Sequence, residues 1–119
     1  MYRYWYSSGA LYPHFASCWI AVDAATRENG CLKVVKGSHK LGRLQHDSVN
    51  GQTGADPERV EMALAAGLET VYCVLPAGGA VFFHCNTLHS SDVNSSPNPR
   101  WVRPYCWHTA HCMALRAAL

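Results

Sequence analysis

Turn signals cut this chain into runs too short for anything but strands, and that limits its fold more than any other feature. Asn29-Gly30, Gly37-Ser38 and Pro76-Ala77-Gly78-Gly79 each mark a reversal of the backbone. Between them lie short apolar, partly β-branched runs. Phe15 to Val22, Cys31 to Val35, Thr70 to Leu75, Ala80 to His84 and Trp101 to Thr109 are read as five strands. One segment breaks the pattern. Asp56-Pro57-Glu58 supplies an N-cap, a proline at the first helical position and an acid in the first turn. Val60, Leu64 and Leu68 then recur at four-residue steps, and Gly67 ends the run, so one short helix is expected near 56–67. Lys40 to Gly54 is polar and glycine-rich, with no usable period, and Ser90 to Pro99 is read as a loop. The tyrosine-rich start turns at Ser7-Ser8-Gly9, and a helix in the tail from Ala110 is left open. Five strands, one helix and turn-rich links mean a mostly-β sandwich, jelly roll or barrel. Five strands close such an architecture poorly and leave edges unpaired.

At 119 residues, with 49% hydrophobic side chains, the chain is a single domain, 1–119, or a piece of one. A net charge of +2 without blocks of like charge points away from nucleic acid as a partner. The densest basic stretch, Lys33, Lys36, His39, Lys40 and Arg43, is read as a solvated hairpin, against a docking patch for an anionic substrate. None of the six cysteines pairs as Cys-x-x-Cys, and nearly all lie in apolar surroundings where a thiol acts as a small hydrophobe. No leader-like start is seen, and no apolar stretch nears the ~20 residues of a membrane span. Reduced thiols and an intracellular, cytoplasmic setting without membrane are therefore expected.

The chemistry is concentrated in Phe82-Phe83-His84-Cys85-Asn86-Thr87-Leu88-His89-Ser90-Ser91, with Arg100 eleven residues after His89. A lone histidine entering a polar loop is more often structural than metal-binding. Arg100 changes that balance, because a hairpin-like excursion over 90–99 returns it beside His89. A guanidinium there can grip a carboxylate bidentately, and Ser91 adds a hydroxyl donor to the same anion. An imidazole for a metal, an arginine and a serine together suit a small dicarboxylate whose other end meets the metal. Iron oxygenases that use 2-oxoglutarate need that arrangement, with two histidines and one carboxylate on one face of the iron.

The block Asn29-Gly30-Cys31-Leu32-Lys33-Val34-Val35-Lys36-Gly37-Ser38-His39-Lys40, the Gly-Gly-Ala-Val-Phe-Phe-His run at 78–84, and Leu88-His89-Ser90-Ser91 through Asn94 to Arg100 resemble the phytanoyl-CoA dioxygenase family. These are non-haem Fe(II)/2-oxoglutarate oxygenases on a double-stranded β-helix, and the resemblance runs from about Tyr2 to about Thr109. It implies a partial double-stranded β-helix, a jelly-roll or cupin-like barrel lacking its N-terminal strands. It implies Fe(II) as metal, 2-oxoglutarate as cosubstrate and a small-molecule or lipid-like substrate. Carried over by position, it makes His89 the distal iron ligand, Arg100 the grip on the far carboxylate of 2-oxoglutarate, and Ser91 its neighbouring serine. Trp19 matches an aromatic that lines the cosubstrate pocket, with core packing as the competing reading.

Departures from the family pattern are minor at Lys36, where proline is usual, and at Gly79, where aspartate is preferred. A larger one lies at the front. The family's His-x-Asp pair precedes a tyrosine-rich segment like Tyr2 to Tyr6, which would set Met1 at or beside the aspartate. One imidazole does not hold iron usefully against water. His84 is expected to pack or support rather than ligate. His46-Asp47 has the wrong order for the pair, Asp23 and Glu28 are expected to be solvated at a turn, and Cys106, His108, His111 and Cys112 are read as a packed strand end rather than a zinc site. Two functions follow: a dioxygenase shown as its C-terminal portion and inactive alone, or a non-catalytic β-helix domain acting as a truncated or interaction module.

Overall fold

A computed structural model of the chain describes residues 12–49 and 52–108. Among the described residues, eight strands and one α-helix follow in the order β1 (Phe15–Ala21), β2 (Leu32–Val35), β3 (His46–Val49), β4 (Gln52–Ala55), α1 (Pro57–Ala65), β5 (Thr70–Tyr72), β6 (Ala80–His84), β7 (His89–Ser91) and β8 (Val102–His108). The strands form two three-stranded sheets, β6-β1-β8 and β5-β2-β7, and a separate hairpin β3-β4. Every pairing is antiparallel. After β5 the chain alternates between the sheets, and that alternation makes the architecture a jelly roll rather than a meander.

The core lies between the two larger sheets. Trp19 and Ala21 of β1 and Leu32 of β2 are buried with Ala25 and Cys31, and Val34, Val81, Phe83 and Val102 pack against them. In β1 the pairing Trp19↔Val81 and Ser17↔Phe83 sets these side chains on one face, since cross-strand partners share a face and neighbours along a strand do not.

Three expectations need correction. The helix begins as expected: Pro57 is its first residue and the Asp56 carboxylate accepts from the Glu58 N–H at 3.1 Å. It ends at Ala65, however, so Leu68 lies beyond it, and the buried side chain is Ala63 while Leu64 is exposed. Its C-terminus closes as a Schellman motif, with Leu68 N–H on the Ala63 carbonyl and Gly67 N–H on that of Leu64. The polar stretch 40–54 holds the end of a 3-10 turn, Ser38–Leu41, and most of the β3-β4 hairpin. The sequence of these strands carries no alternating apolar residues to announce them. The 90–99 loop starts later than expected, because His89–Ser91 is itself a strand paired with β2.

Among the described residues no helix is long and apolar enough to cross a membrane. Cys18, Cys31, Cys73 and Cys85 are free thiols. Cys112, His111 and the tail from Ala110 lie outside the described residues, as do the side chains of Cys106 and His108 and the tyrosine-rich start, so the zinc alternative is not addressed by the structure.

Candidate functional site

β7 carries His89 and Ser91 two residues apart, hence on one face of the strand. Pairing fixes which face that is. Val34 stands opposite His89 and Leu32 opposite Ser91, and both partners belong to the core side of β2. The Phe83 ring, from the inner face of the other sheet, lies 5.0 Å from the His89 ring, centre to centre. Arg100, half-buried just before β8, donates from Nη1 to the Ser91 Oγ at 3.3 Å. Its guanidinium carbon is 5.4 Å from the centre of the buried Trp19 ring, within cation–π range. Trp19, Ser91 and Arg100 therefore meet directly, and His89 shares their side of the sheet.

The tautomer of His89 follows from its hydrogen bond. Nδ1 stands 2.8 Å from the Thr87 carbonyl oxygen, which can only accept, so Nδ1 carries the proton and the ring lone pair is on Nε2. That leaves Nε2 chemically suited to a metal. The charge of Arg100 also reaches Cys31: burial pushes that thiol up, and Arg27 and Arg100 oppose the shift. Guanidinium, hydroxyl and indole face together offer charge, a donor and an apolar wall, which fits one carboxylate group. Among the described residues no three His, Cys, Asp or Glu side chains converge, so these residues alone do not make a complete iron site around His89.

Arg100 is delivered by a built loop rather than a slack one. Lys33 pairs with Asp92, and the Glu28 carbonyl accepts from both the N–H and the hydroxyl of Ser95, at 2.9 and 3.0 Å. Asn94 braces the tip, accepting from Ser96 N–H and donating to the Asn98 carbonyl. The returning strand is then caught: Trp101 N–H donates to the Asp23 carboxylate at 3.0 Å, and its carbonyl accepts from Val22 N–H at 2.9 Å. Asp23 and Glu28, expected to be merely solvated, thus hold the end and the middle of the excursion, Asp23 by its side chain and Glu28 by its backbone. Lys33 likewise leaves the expected basic patch to close the loop. The Asn29-Gly30 turn is fixed by Asn29, buried at 4% exposure, whose side chain accepts from Thr26 N–H and donates to the Ala24 carbonyl.

The competing histidines lie elsewhere. His84 follows Phe83 directly and so takes the opposite face of β6. Its Nδ1 accepts from Asn86 N–H, its ring sits 5.8 Å from that of His39, and burial followed by the His39 charge hold its pKa below the ordinary histidine value. His46 turns its Nδ1 to the Leu44 carbonyl within the separate hairpin. One residue of the site was given no role by the sequence. Ser38 figures there only as the end of a strand and within the Asn29–Lys40 block, yet its buried hydroxyl joins Val35 to Leu88 beside His89.

Known proteins resemble this chain in sequence and fold. The chain is 35% identical over 96 residues to an ectoine dioxygenase of Bordetella parapertussis, covering 71% of this chain and 30% of that protein. It is 33% identical over 105 residues to phytanoyl-CoA dioxygenase domain-containing protein 1 of Mus musculus, covering 80% and 32%. The chain thus spans about a third of the length of these relatives. Among solved structures, it superposes on the epimerase SnoN in complex with Fe3+, alpha ketoglutarate and nogalamycin RO, with a TM-score of 0.61 and 26% identity over 79% of this chain and 35% of that one. The pattern that describes phytanoyl-CoA dioxygenase (PhyH) runs along residues 2–102, most of the sequence, and the chain belongs to that family.

Proposed function

We propose that this chain forms the cosubstrate-anchoring part of a non-haem Fe(II)/2-oxoglutarate-dependent dioxygenase acting on a small molecule. The observation that carries the reading is Arg100 hydrogen-bonded to Ser91, stacked near Trp19, on the side of the sheet that bears His89. Arg100 and Ser91 grip the far carboxylate of 2-oxoglutarate, and Trp19 walls that end of the site from water. His89 gives iron one imidazole through Nε2. Iron, when bound, supplies the oxidative chemistry with dioxygen. Relatives named for ectoine and for phytanoyl-CoA, and a structural neighbour holding Fe3+ and alpha ketoglutarate, support the same assignment of cofactors.

A titration with 2-oxoglutarate, followed by side-chain NMR signals of Arg100 and Trp19, tests the anchor. A charge-assisted hydrogen bond is worth ~1.5–3 kcal/mol, so Arg100→Ala should weaken binding by about one to two orders of magnitude. In metal-free buffer His89→Ala should leave it unchanged. Unaltered affinity in Arg100→Ala would remove the arginine from the anchor.

One observation favours a non-catalytic reading of these 119 residues taken alone: among the described residues no three His, Cys, Asp or Glu side chains converge on a metal site. The isolated chain should therefore release no succinate from 2-oxoglutarate in the presence of Fe(II) and oxygen. Succinate formation lost on His89→Ala would show a complete ligand set.

A further inference from the structure

We propose that Ser38 is a positioning residue for His89, acting through the peptide group between Thr87 and Leu88. Ser38 is fully buried, and a buried hydroxyl is costly unless both its donor and its acceptor are used. Both are. Its proton goes to the Val35 carbonyl at 2.7 Å, so a lone pair is left to accept the Leu88 N–H at 2.8 Å. The Leu88 carbonyl is held in turn by the Val35 N–H at 2.9 Å, which braces Leu88 from both ends.

The Leu88 N–H and the Thr87 carbonyl belong to one planar peptide unit and point in opposite directions. Fixing the N–H therefore fixes the carbonyl. That carbonyl accepts from His89 Nδ1 at 2.8 Å. A continuous line of hydrogen bonds thus runs from Val35 through Ser38 and this peptide to the imidazole, and each bond polarises the next. Its effect is to hold the Nδ1–H tautomer, the minor form of an isolated neutral imidazole, and to aim the ring. Simple burial of a small side chain would leave the ring tautomer indifferent to Ser38. The inference gives His89 its purpose through the proposed function, but its test needs neither metal nor cosubstrate.

The measurement is the nitrogen-15 spectrum of the His89 ring in the metal-free chain, at a pH where the imidazole is neutral. The unaltered chain should show Nδ1–H as the dominant form. Ser38→Ala should lower the ratio of Nδ1–H to Nε2–H by roughly five- to ten-fold, the effect of losing one typical hydrogen bond from the line. Ser38→Thr, which keeps the hydroxyl, should restore it. A folded Ser38→Ala chain with an unchanged tautomer ratio would overturn the proposal. Should Ser38→Ala not fold, the unaltered chain still decides: the Leu88 amide must exchange with solvent far more slowly than an open amide, and exchange at the open rate would overturn the proposal as surely. The 2-oxoglutarate titration of Arg100→Ala stands apart, so failure of the Ser38 assignment and failure of the functional reading are distinguishable.

Discussion

Gly30→Ala should unfold the loop that carries Arg100, and the structure says by how much. Gly30 has φ +79°, in the left-handed region, where an L side chain costs ~1–2 kcal/mol. A Cβ built there falls under 3.0 Å from the Asp92 carbonyl oxygen and 3.3 Å from the Asp92 carbonyl carbon. Those are backbone atoms, so no side chain can rotate away, and overpacking of this kind costs ~1–3 kcal/mol more. The sum, roughly 2–5 kcal/mol, is a large share of the ~5–15 kcal/mol that stabilises a typical domain. Gly37→Ala provides the control. Its φ is +80°, but nothing lies within 4 Å of the added carbon, so it pays only the backbone cost. Both changes reduce unfolded-chain entropy alike, and that contribution cancels in the comparison.

Urea unfolding of the two variants, followed by tryptophan fluorescence, should separate them by about 1–3 kcal/mol. Amide shifts in Gly30→Ala should move most at 91–95, where Ser91 meets Arg100 and Asp92 meets Lys33. Equal losses in the two variants would refute the claim that close approach to Asp92, rather than backbone handedness, requires glycine at position 30.

Lys36→Pro should destabilise this chain by about 1 kcal/mol, because it removes the N–H that donates to the Glu69 carbonyl at 2.8 Å; Lys36→Ala, which keeps that N–H, should be near neutral in the same urea assay. Acidification should destabilise the fold through His84. Burial, then His39, lower its pKa, with His14 adding to the shift and the Pro13 carbonyl opposing it. Because the folded state disfavours the proton, this contribution is present above the ordinary value of 6.5 and is lost as pH falls through the lowered one. The urea midpoint should therefore drop on going from about pH 7 to about pH 5, and His84→Gln should flatten that drop; an identical slope in the variant would contradict the assignment.

The elements that could be read from sequence are those whose residues carry their own instructions. β1, β2 and β6 are apolar runs bounded by turns, and Asp56-Pro57 starts a helix wherever it is placed. β7 had no such instructions. Its three residues are polar and exposed, and it is a strand only because β2 offers it a ladder. The same division runs through the site. His89, Ser91, Arg100 and Trp19 could be named as candidates because their chemistry and their spacing, set against a resemblance, single them out. Asp23, Ser38 and the Glu28 carbonyl were not, because each acts by a hydrogen bond to a residue more than forty positions away.

Those illegible contacts explain why a polar excursion of the length of 90–99 can present a charged side chain reproducibly. Fixing a residue's backbone costs ~1–2 kcal/mol of entropy, so a loop without internal order would sample many positions for Arg100. Here the excursion is tied at its start by Lys33 to Asp92, at its middle by Glu28 to Ser95, and at its end by Asp23 to Trp101, while Gly30 leaves room for the Asp92 backbone to pass close by. Every tie but that of Lys33 originates in residues 23–30, the turn that Asn29 closes from inside. The Asn-Gly turn thus serves the candidate site as well as the fold: by shaping 23–30 it sets where 92–101 runs, and so where the guanidinium meets Ser91 and Trp19. Ser38 does the corresponding work for His89 from the other end of β2. The two ends of one short central strand therefore position the two halves of the candidate site, the guanidinium at one and the imidazole at the other.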